Sequence, residues 1–188
     1  MSIQLGNTKI VHAGKHISVL EQSYENTYNG RIGTYEVIVR NKVAGIVSVL
    51  PITQNNEIIL IRQFRIPLGR EVIEQPAGLN DKLGESNIDA AKRELLEETG
   101  YSSDELEYIL TVPTSSGLTN ELISCYIARN CQKVSHLLDL DSSESISVLT
   151  LPIDTAFQYL VEESRKGNLV DSKAFMMLQW YLNTIKEE

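Results

Sequence analysis

The chain has 188 residues, enough to bury about 70% of the surface its unfolded form exposes and to fold without disulfides or a structural metal. Hydrophobic residues at 42% and charged residues at 22% exclude a disordered or collagen-like chain. Seventeen Lys and Arg against twenty-five Asp and Glu leave a net charge of -8, which argues against binding nucleic acid or an anionic membrane but leaves room for an anionic small ligand.

The two cysteines, Cys125 and Cys131, lack CxxC spacing and are no disulfide framework. The N-terminus has no charged stretch followed by an apolar one, so no signal peptide is expected. The longest apolar run, around Ala44 to Ile52, is far short of the ~20 residues of a membrane helix. A cytoplasmic protein is the expectation.

The first half of the chain reads as strands. His16 to Ser23 and Gly30 to Arg40 are β-rich and joined by the turn-like Tyr24 to Asn29. Ala44 to Ile52 and Glu57 to Phe64 flank the polar turn Gln54-Asn55-Asn56 and are apolar on both faces, as central strands are. Glu71 to Gln75 is a short strand stopped by Pro76 and Gly78, and a polar loop follows from Asn80 to Gly84. A helix runs from about Asn87 to Thr99, ends at Gly100 as its C-cap, and places Ile88, Ala91 and Leu95 on its core face. Leu106 to Val112, Leu122 to Ala128 and Ile146 to Leu151 read as strands, with a loop from Pro113 to Asn120. Asp154 to Lys166 and Ser172 to Ile185 read as closing helices. This non-alternating schedule predicts a mixed sheet flanked by helices, with a boundary near Asn41 to Val43 that divides a small N-terminal β unit, residues 1–43, from a main body, residues 44–188.

The informative segment lies on the central helix. At 100° per residue Glu94, Glu97 and Glu98 fall within an arc of about 100°. Crowded carboxylates repel, and a solvated acidic face is the ordinary explanation. Here, however, they adjoin the core face instead of lying opposite it, and Arg93 stands one turn before Glu97, where it can hold that carboxylate. Half-buried like charges with one fixed arginine call for a cation, and hard oxygen donors suit Mg²⁺ or Mn²⁺.

Gly78, Glu85, Arg93, Glu94, Leu95, Glu97, Glu98, Gly100 and Tyr101 resemble the Nudix box, G-x5-E-x7-R-E-U-x-E-E-x-G-U with U apolar. Six fixed residue types at ~1 in 15 each coincide by chance roughly once in 10⁷ starting points. One departure is present: six residues separate Gly78 from Glu85 where the pattern has five, an insertion in the loop upstream of the carboxylates. Gln63 to Pro67, Glu74-x-Pro76-Ala77-Gly78-Leu79, Ser115 to Glu121, Glu144-Ser145-Ile146 and Leu178-Gln179-Trp180 extend the resemblance toward the ADP-ribose pyrophosphatase branch, over residues 16 to 184.

The resemblance implies a Nudix α/β/α sandwich with a mixed β-sheet and a small N-terminal β subdomain. It implies hydrolysis of a nucleoside diphosphate linked to another moiety, with ADP-ribose giving AMP and ribose 5-phosphate as the leading case. Glu94, Glu97, Glu98 and the Ala77 carbonyl would hold Mg²⁺ or Mn²⁺. Glu144 would be the base, with Glu97 and Arg93 in the catalytic set. Arg65, Leu79, Ser115 and Glu121 would meet substrate, and Tyr35 and Arg40 would hold its adenine, although their odd spacing puts them on opposite faces of an unbulged strand. Gly78, Glu85 and Gly100 would be structural. The branch also implies a homodimer with exchanged N-terminal units, in which Tyr24, Tyr28 and Tyr35 could stack on a base.

Alternatives remain at this stage. A nucleoside-diphosphate sugar such as GDP-mannose is the runner-up substrate. A non-catalytic nucleotide sensor is disfavoured by the complete carboxylate set, and a chain ending at Glu188 is expected to have no room for a DNA-binding domain. An isopentenyl diphosphate isomerase-like enzyme would need Cys and His chemistry, and no Cys or His lies near the box. His12, His16 and His136 lack partners at ligand spacing; Cys125 is expected in the core and Cys131 in a loop.

Overall fold

The computed structural model describes residues 2–184. Two sheets organise the chain. The N-terminal one is a three-stranded antiparallel sheet of β1 (Ile3–Ala13), β2 (Ile17–Asn26) and β3 (Arg31–Arg40), in that order. The other has nine strands: β4 (Gly45–Thr53), β5 (Glu57–Arg65), β6 (Arg70–Glu74), β7 (Ala77–Asn80), β8 (Tyr101–Ser102), β9 (Glu105–Pro113), β10 (Leu122–Lys133), β11 (Ile146–Pro152) and β12 (Leu169–Val170). The helices are α1 (Asn87–Thr99), α2 (Ile153–Arg165) and α3 (Ser172–Thr184). β4 pairs parallel with β10 and antiparallel with β7 and β5, so the sheet is mixed.

The two-sided apolar strands explain the layering. On β4, Val47 and Val49 face α1 and join Ala90, Ala91 and Leu95, whereas Leu50 and Ile52 join Ile153, Ala156 and Leu160 of α2 and Ala174, Met177 and Leu178 of α3. β10 divides in the same way, with Tyr126 and Ala128 toward α1 and Cys125 and Ile127 toward α2 and α3. One helix therefore covers one face of the sheet and two cover the other, the α/β/α sandwich expected from the sequence.

The N-terminal sheet is built differently. Its strand register places Ile3, Leu5, Ile10, Leu20, Tyr24, Tyr35, Val37 and Val39 on one face, and Lys9, Glu21, Glu25, Glu36 and Arg40 on the other. Yet no core covers the apolar face: Leu5 is 68% and Ile10 63% exposed. The sheet touches the main body through the loop after β9. The Ile38 N–H donates to the Leu118 carbonyl at 2.9 Å, and the Tyr35 hydroxyl donates to the Gly117 carbonyl at 2.7 Å.

Several local expectations are corrected. Residues 3–13 form β1, which periodicity alone did not mark because the strand is exposed on both faces. Ala77 to Asn80 is a strand, although Pro76 and Gly78 were expected to stop strand structure, since β4 supplies its ladder partners. Ile88 is half exposed, and Ala90 takes its place against the sheet. Cys131 is not a loop thiol: β10 continues to Lys133, past an irregularity after Ala128, and buries it. Ile185, the expected end of α3, lies outside the described residues.

Candidate active site

The Ser86 hydroxyl oxygen caps α1 by accepting the Asp89 N–H at 3.2 Å. The helix stops at Gly100, whose left-handed φ of 70° favours glycine and whose imagined Cβ would fall 2.2 Å from the Ser135 carbonyl oxygen. Between these ends Arg93 spends all five of its N–H donors. Nε and Nη2 reach the two Glu85 carboxylate oxygens at 2.8 and 3.0 Å, and Nη2 also reaches the Leu79 carbonyl at 3.0 Å. Nη1 reaches Glu94 Oε1 at 2.7 Å and Glu97 Oε2 at 2.9 Å. The bond to Glu85, followed by those to Glu97 and Glu94, raises the guanidinium pKa, while Arg93 in turn holds the Glu85 carboxyl below its ordinary value.

The box loop absorbs its extra residue outward. Leu83 is fully exposed, Gly84 takes a positive φ of 82°, and the Asn80 side-chain amide closes the loop on the Glu85 carbonyl at 3.0 Å. Glu85 therefore still meets Arg93.

Glu94 and Glu98 are buried, at 8% and 2% exposed, and burial pushes both carboxyl pKa values up, that of Glu98 strongly. The Ala77 N–H donates to Glu98 Oε2 at 3.0 Å. Glu98 Oε1 and Glu94 Oε2 have no hydrogen-bond partner among the described residues. Gly78 leaves the space Glu94 needs, because a Cβ there would fall 2.0 to 2.3 Å from its carboxylate atoms.

These side chains line one wall of a cleft of about 840 Å³. Arg65 lines it too, gripped by Glu74 through Nε at 2.7 Å and Nη2 at 2.8 Å; burial opposes its charge, but the Glu74 carboxylate outweighs this and raises its pKa. Glu144 enters from the loop before β11. Its Oε2 accepts the Asp141 N–H at 2.9 Å, and its own N–H donates to the Asp141 carbonyl at 2.9 Å, which fixes the loop turn. Leu79, Ala77, Arg40 and Glu121 also line the cleft, and the last two form an ion pair with each other.

Two sequence candidates stand apart. The Tyr35 side chain turns to Gly117 and is not on the cleft wall, and Ser115 shapes the loop by accepting the N–H groups of Leu118 and Thr119 through its carbonyl. Tyr35 and Arg40 occupy opposite faces of β3, which pairs with β2 without a bulge.

The NUDIX domain family model matches residues 43–171. The chain belongs to the NUDIX domain family. It is 34% identical to the "Methanol dehydrogenase activator" of Bacillus methanolicus over 81% of this chain and 78% of that one. It is 32% identical to the "ADP-ribose pyrophosphatase" of Bacillus subtilis (strain 168) over 90% of this chain and 87% of that one. A solved structure described as an "ADP compounds hydrolase" superposes with a TM-score of 0.78 at 22% identity, over 98% of this chain and 96% of that one, and shows the fold.

The Nudix cleft offers more than the motifs marked. Asp171 and Lys173, at the start of α3, line it too, and Lys173 Nζ donates to Asp171 Oδ2 at 2.6 Å. Asp139 and Asp141 add carboxylates near Glu144. The sequence motifs do not mark Lys173; its backbone N–H donates to Asp171 Oδ1 at 2.7 Å at the start of α3. Among the described residues no three His, Cys, Asp or Glu side chains are gathered in ligating geometry; Arg93 holds Glu94 Oε1 and the Ala77 N–H holds Glu98 Oε2. The donor chemistry nevertheless fits a hard divalent cation: two buried carboxylates, each with an oxygen open to the cleft, share the α1 wall with Glu97, and Glu144 lines the same cleft.

Proposed function

We propose that this Nudix protein hydrolyses the diphosphate of ADP-ribose, giving AMP and ribose 5-phosphate, with Mg²⁺ or Mn²⁺ held by Glu94, Glu97 and Glu98 and the Ala77 carbonyl. The observation that carries this reading is the pair of buried carboxylates, Glu94 and Glu98, left partly unpaired at the wall of a cleft that also holds Arg65 and Glu144. Isolated buried charges are costly, so carboxylates kept in this state are kept for a cation. A bound divalent ion supplies charge neutralisation for the diphosphate and lowers the pKa of a coordinated water.

The chain's own groups do the rest. Arg93 and Glu85 orient the acidic wall. Arg65, immobilised by Glu74, presents its remaining guanidinium edge to phosphate, and Lys173 offers a second cation to the same cleft. Glu144, fixed by Asp141, accepts the proton of the water that attacks phosphorus as the bridging P–O bond breaks. Leu79 and the Arg40–Glu121 pair, with Ser115 and Tyr35 bracing the adjoining loop, bound the region for the base. The similarity to an ADP-ribose pyrophosphatase over nine-tenths of the chain supports adenine as that base.

The protein works as a homodimer, with residues 1–43 as the assembling unit and residues 44–188 as the catalytic one. The uncovered apolar face of β1, β2 and β3 supports this, since a three-stranded sheet needs a partner for such a face. Exchange of N-terminal units would present Tyr24, Tyr28 and Tyr35 to the partner's cleft. Mixing Tyr35→Ala chains with Glu98→Gln chains tests it: recovered activity supports shared sites, and none, with subunit exchange shown, contradicts them. Two buried thiols fit a reducing cytoplasm.

A screen of nucleoside diphosphate derivatives with Mg²⁺, read by nucleoside monophosphate release, tests the substrate. ADP-ribose should be turned over best. Preference for GDP-mannose would move the assignment to nucleotide sugars, and turnover of none would overturn hydrolysis.

A further inference from the structure

The C-terminus of α1 raises a problem that the Nudix box does not solve. A helix leaves its last carbonyls without intrahelical donors, and the negative end of its dipole lies there. Basic side chains usually ease this, but α1 has none in its last turn. Glu97 and Glu98 occupy that turn instead, so the acids of the site sit where the helix favours them least.

Relief comes from the end of β10 and the segment that follows it. Lys133 Nζ donates to the Thr99 carbonyl at 2.7 Å and stands 4.7 Å from the centroid of the Tyr101 ring. The Val134 and Ser135 N–H groups donate to the Gly100 carbonyl at 2.9 and 3.0 Å, and the Asp139 N–H donates to the Glu97 carbonyl at 3.1 Å. The same segment continues to Asp141 and Glu144, and the Phe64 N–H closes it by donating to the Ser145 carbonyl at 3.2 Å. The chain that carries Glu144 is thus tied to the end of the helix that carries Glu94, Glu97 and Glu98. Lys133 supplies the one charged side chain among these ties.

We propose that Lys133 is a positioning residue for hydrolysis: by clamping the end of α1 it sets the Glu144 segment against the carboxylate wall. The inference rests on the hydrolase reading above. Lys133 is not on the cleft wall, so it acts on the placement of reacting groups and leaves substrate affinity alone. An error of about 1 Å in such placement costs up to about a hundredfold in rate.

Lys133→Met is compared with wild type, with Lys133→Arg, and with Arg62→Met. The last loosens the Arg62–Glu163 tie at 3.3 Å between β5 and α2, away from the cleft. Lys133→Met should lose about ten- to a hundredfold in kcat on ADP-ribose, with KM within about twofold. Its Val134, Ser135 and Asp139 amides should exchange hydrogen faster. Lys133→Arg should recover most of the rate, and Arg62→Met, at a similar loss of Tm, should keep kcat within about twofold. If Lys133→Met does not fold, Lys133→Gln is expected to show the same split. Unchanged kcat in the Lys133 variants, equal loss in Arg62→Met, or no recovery in Lys133→Arg overturns the proposal. A wild type that hydrolyses no nucleoside diphosphate derivative sinks the hydrolase reading and this inference together, whereas an active wild type with an equally active Lys133→Met sinks this inference alone.

Discussion

The box helix and the N-terminal sheet solve opposite problems. In α1 each N–H of Arg93 is matched to an acceptor, while two carboxylates are left buried with oxygens to spare. In the sheet of β1 to β3 hydrogen bonding is regular, and it is apolar area that is left over, with Leu5, Ile10 and Ile32 in the open. In the proposed function, surplus charge inside serves a small ion and surplus apolar surface outside serves a second copy of the chain. On the proposed reading the first serves chemistry and the second assembly, so substitutions of the buried carboxylates should change rate and leave oligomeric state alone.

The largest effect is expected at Glu98. Glu98→Gln keeps the bond from the Ala77 N–H and removes a buried charge, so turnover should fall by about 10³-fold or more while Tm holds or rises. Near-wild-type turnover, or full activity of wild type in EDTA, would show that the surplus charge serves no ion. Glu144→Gln should lose roughly 10²–10⁴-fold in kcat with metal affinity little changed. If it stays fully active, the base is another cleft carboxylate, and Glu121 and Asp141 are the ones to replace next.

Gly78→Ala sharpens the comparison at smaller cost. The added methyl meets the end of the Glu94 side chain first, so the fold should survive, but the carboxylate must move. A rate loss of about ten- to a hundredfold with a weaker metal requirement curve is expected; unchanged kinetics would mean that the position of Glu94 is unimportant. On the other region, the double variant Leu5→Glu, Ile10→Glu should turn the proposed dimer into a 21.1 kDa monomer by sedimentation, with the melting of the main body little altered. A dimer that survives both charges would place the interface elsewhere. Smallest is a null result with content: burial pushes the Cys125 and Cys131 thiols up to about 11, so neither should react with a disulfide reagent at pH 8 until the chain unfolds, and rapid labelling of either would contradict their burial.

The sequence made the first region legible and the second obscure, for physical reasons. Glu94, Glu97, Glu98, Arg93 and Glu85 lie within fourteen residues of one helix and its lead-in, where a period of 3.6 converts spacing into direction. The strands β4 and β5 were equally plain, because they are buried on both faces. β1 was missed because its exposed residues carry no alternation that burial would enforce, and β7 because its strand character comes from β4 and not from its own Ala-Gly-Leu-Asn. Lys173 and Lys133 reach the site or its support from segments far along the chain, a long-range fact that no local pattern encodes. Tyr35 was expected on the substrate, and its hydroxyl has instead found the Gly117 carbonyl.

Binding of Mn²⁺, followed by its electron paramagnetic resonance signal in wild type and in Glu98→Gln, tests the central claim most directly. It reads the ion itself and needs no substrate. The account predicts saturable binding by wild type that weakens at least about tenfold in Glu98→Gln, since one of the buried donor carboxylates has lost its charge. Equal affinity in the two proteins, or no binding by either, would contradict it.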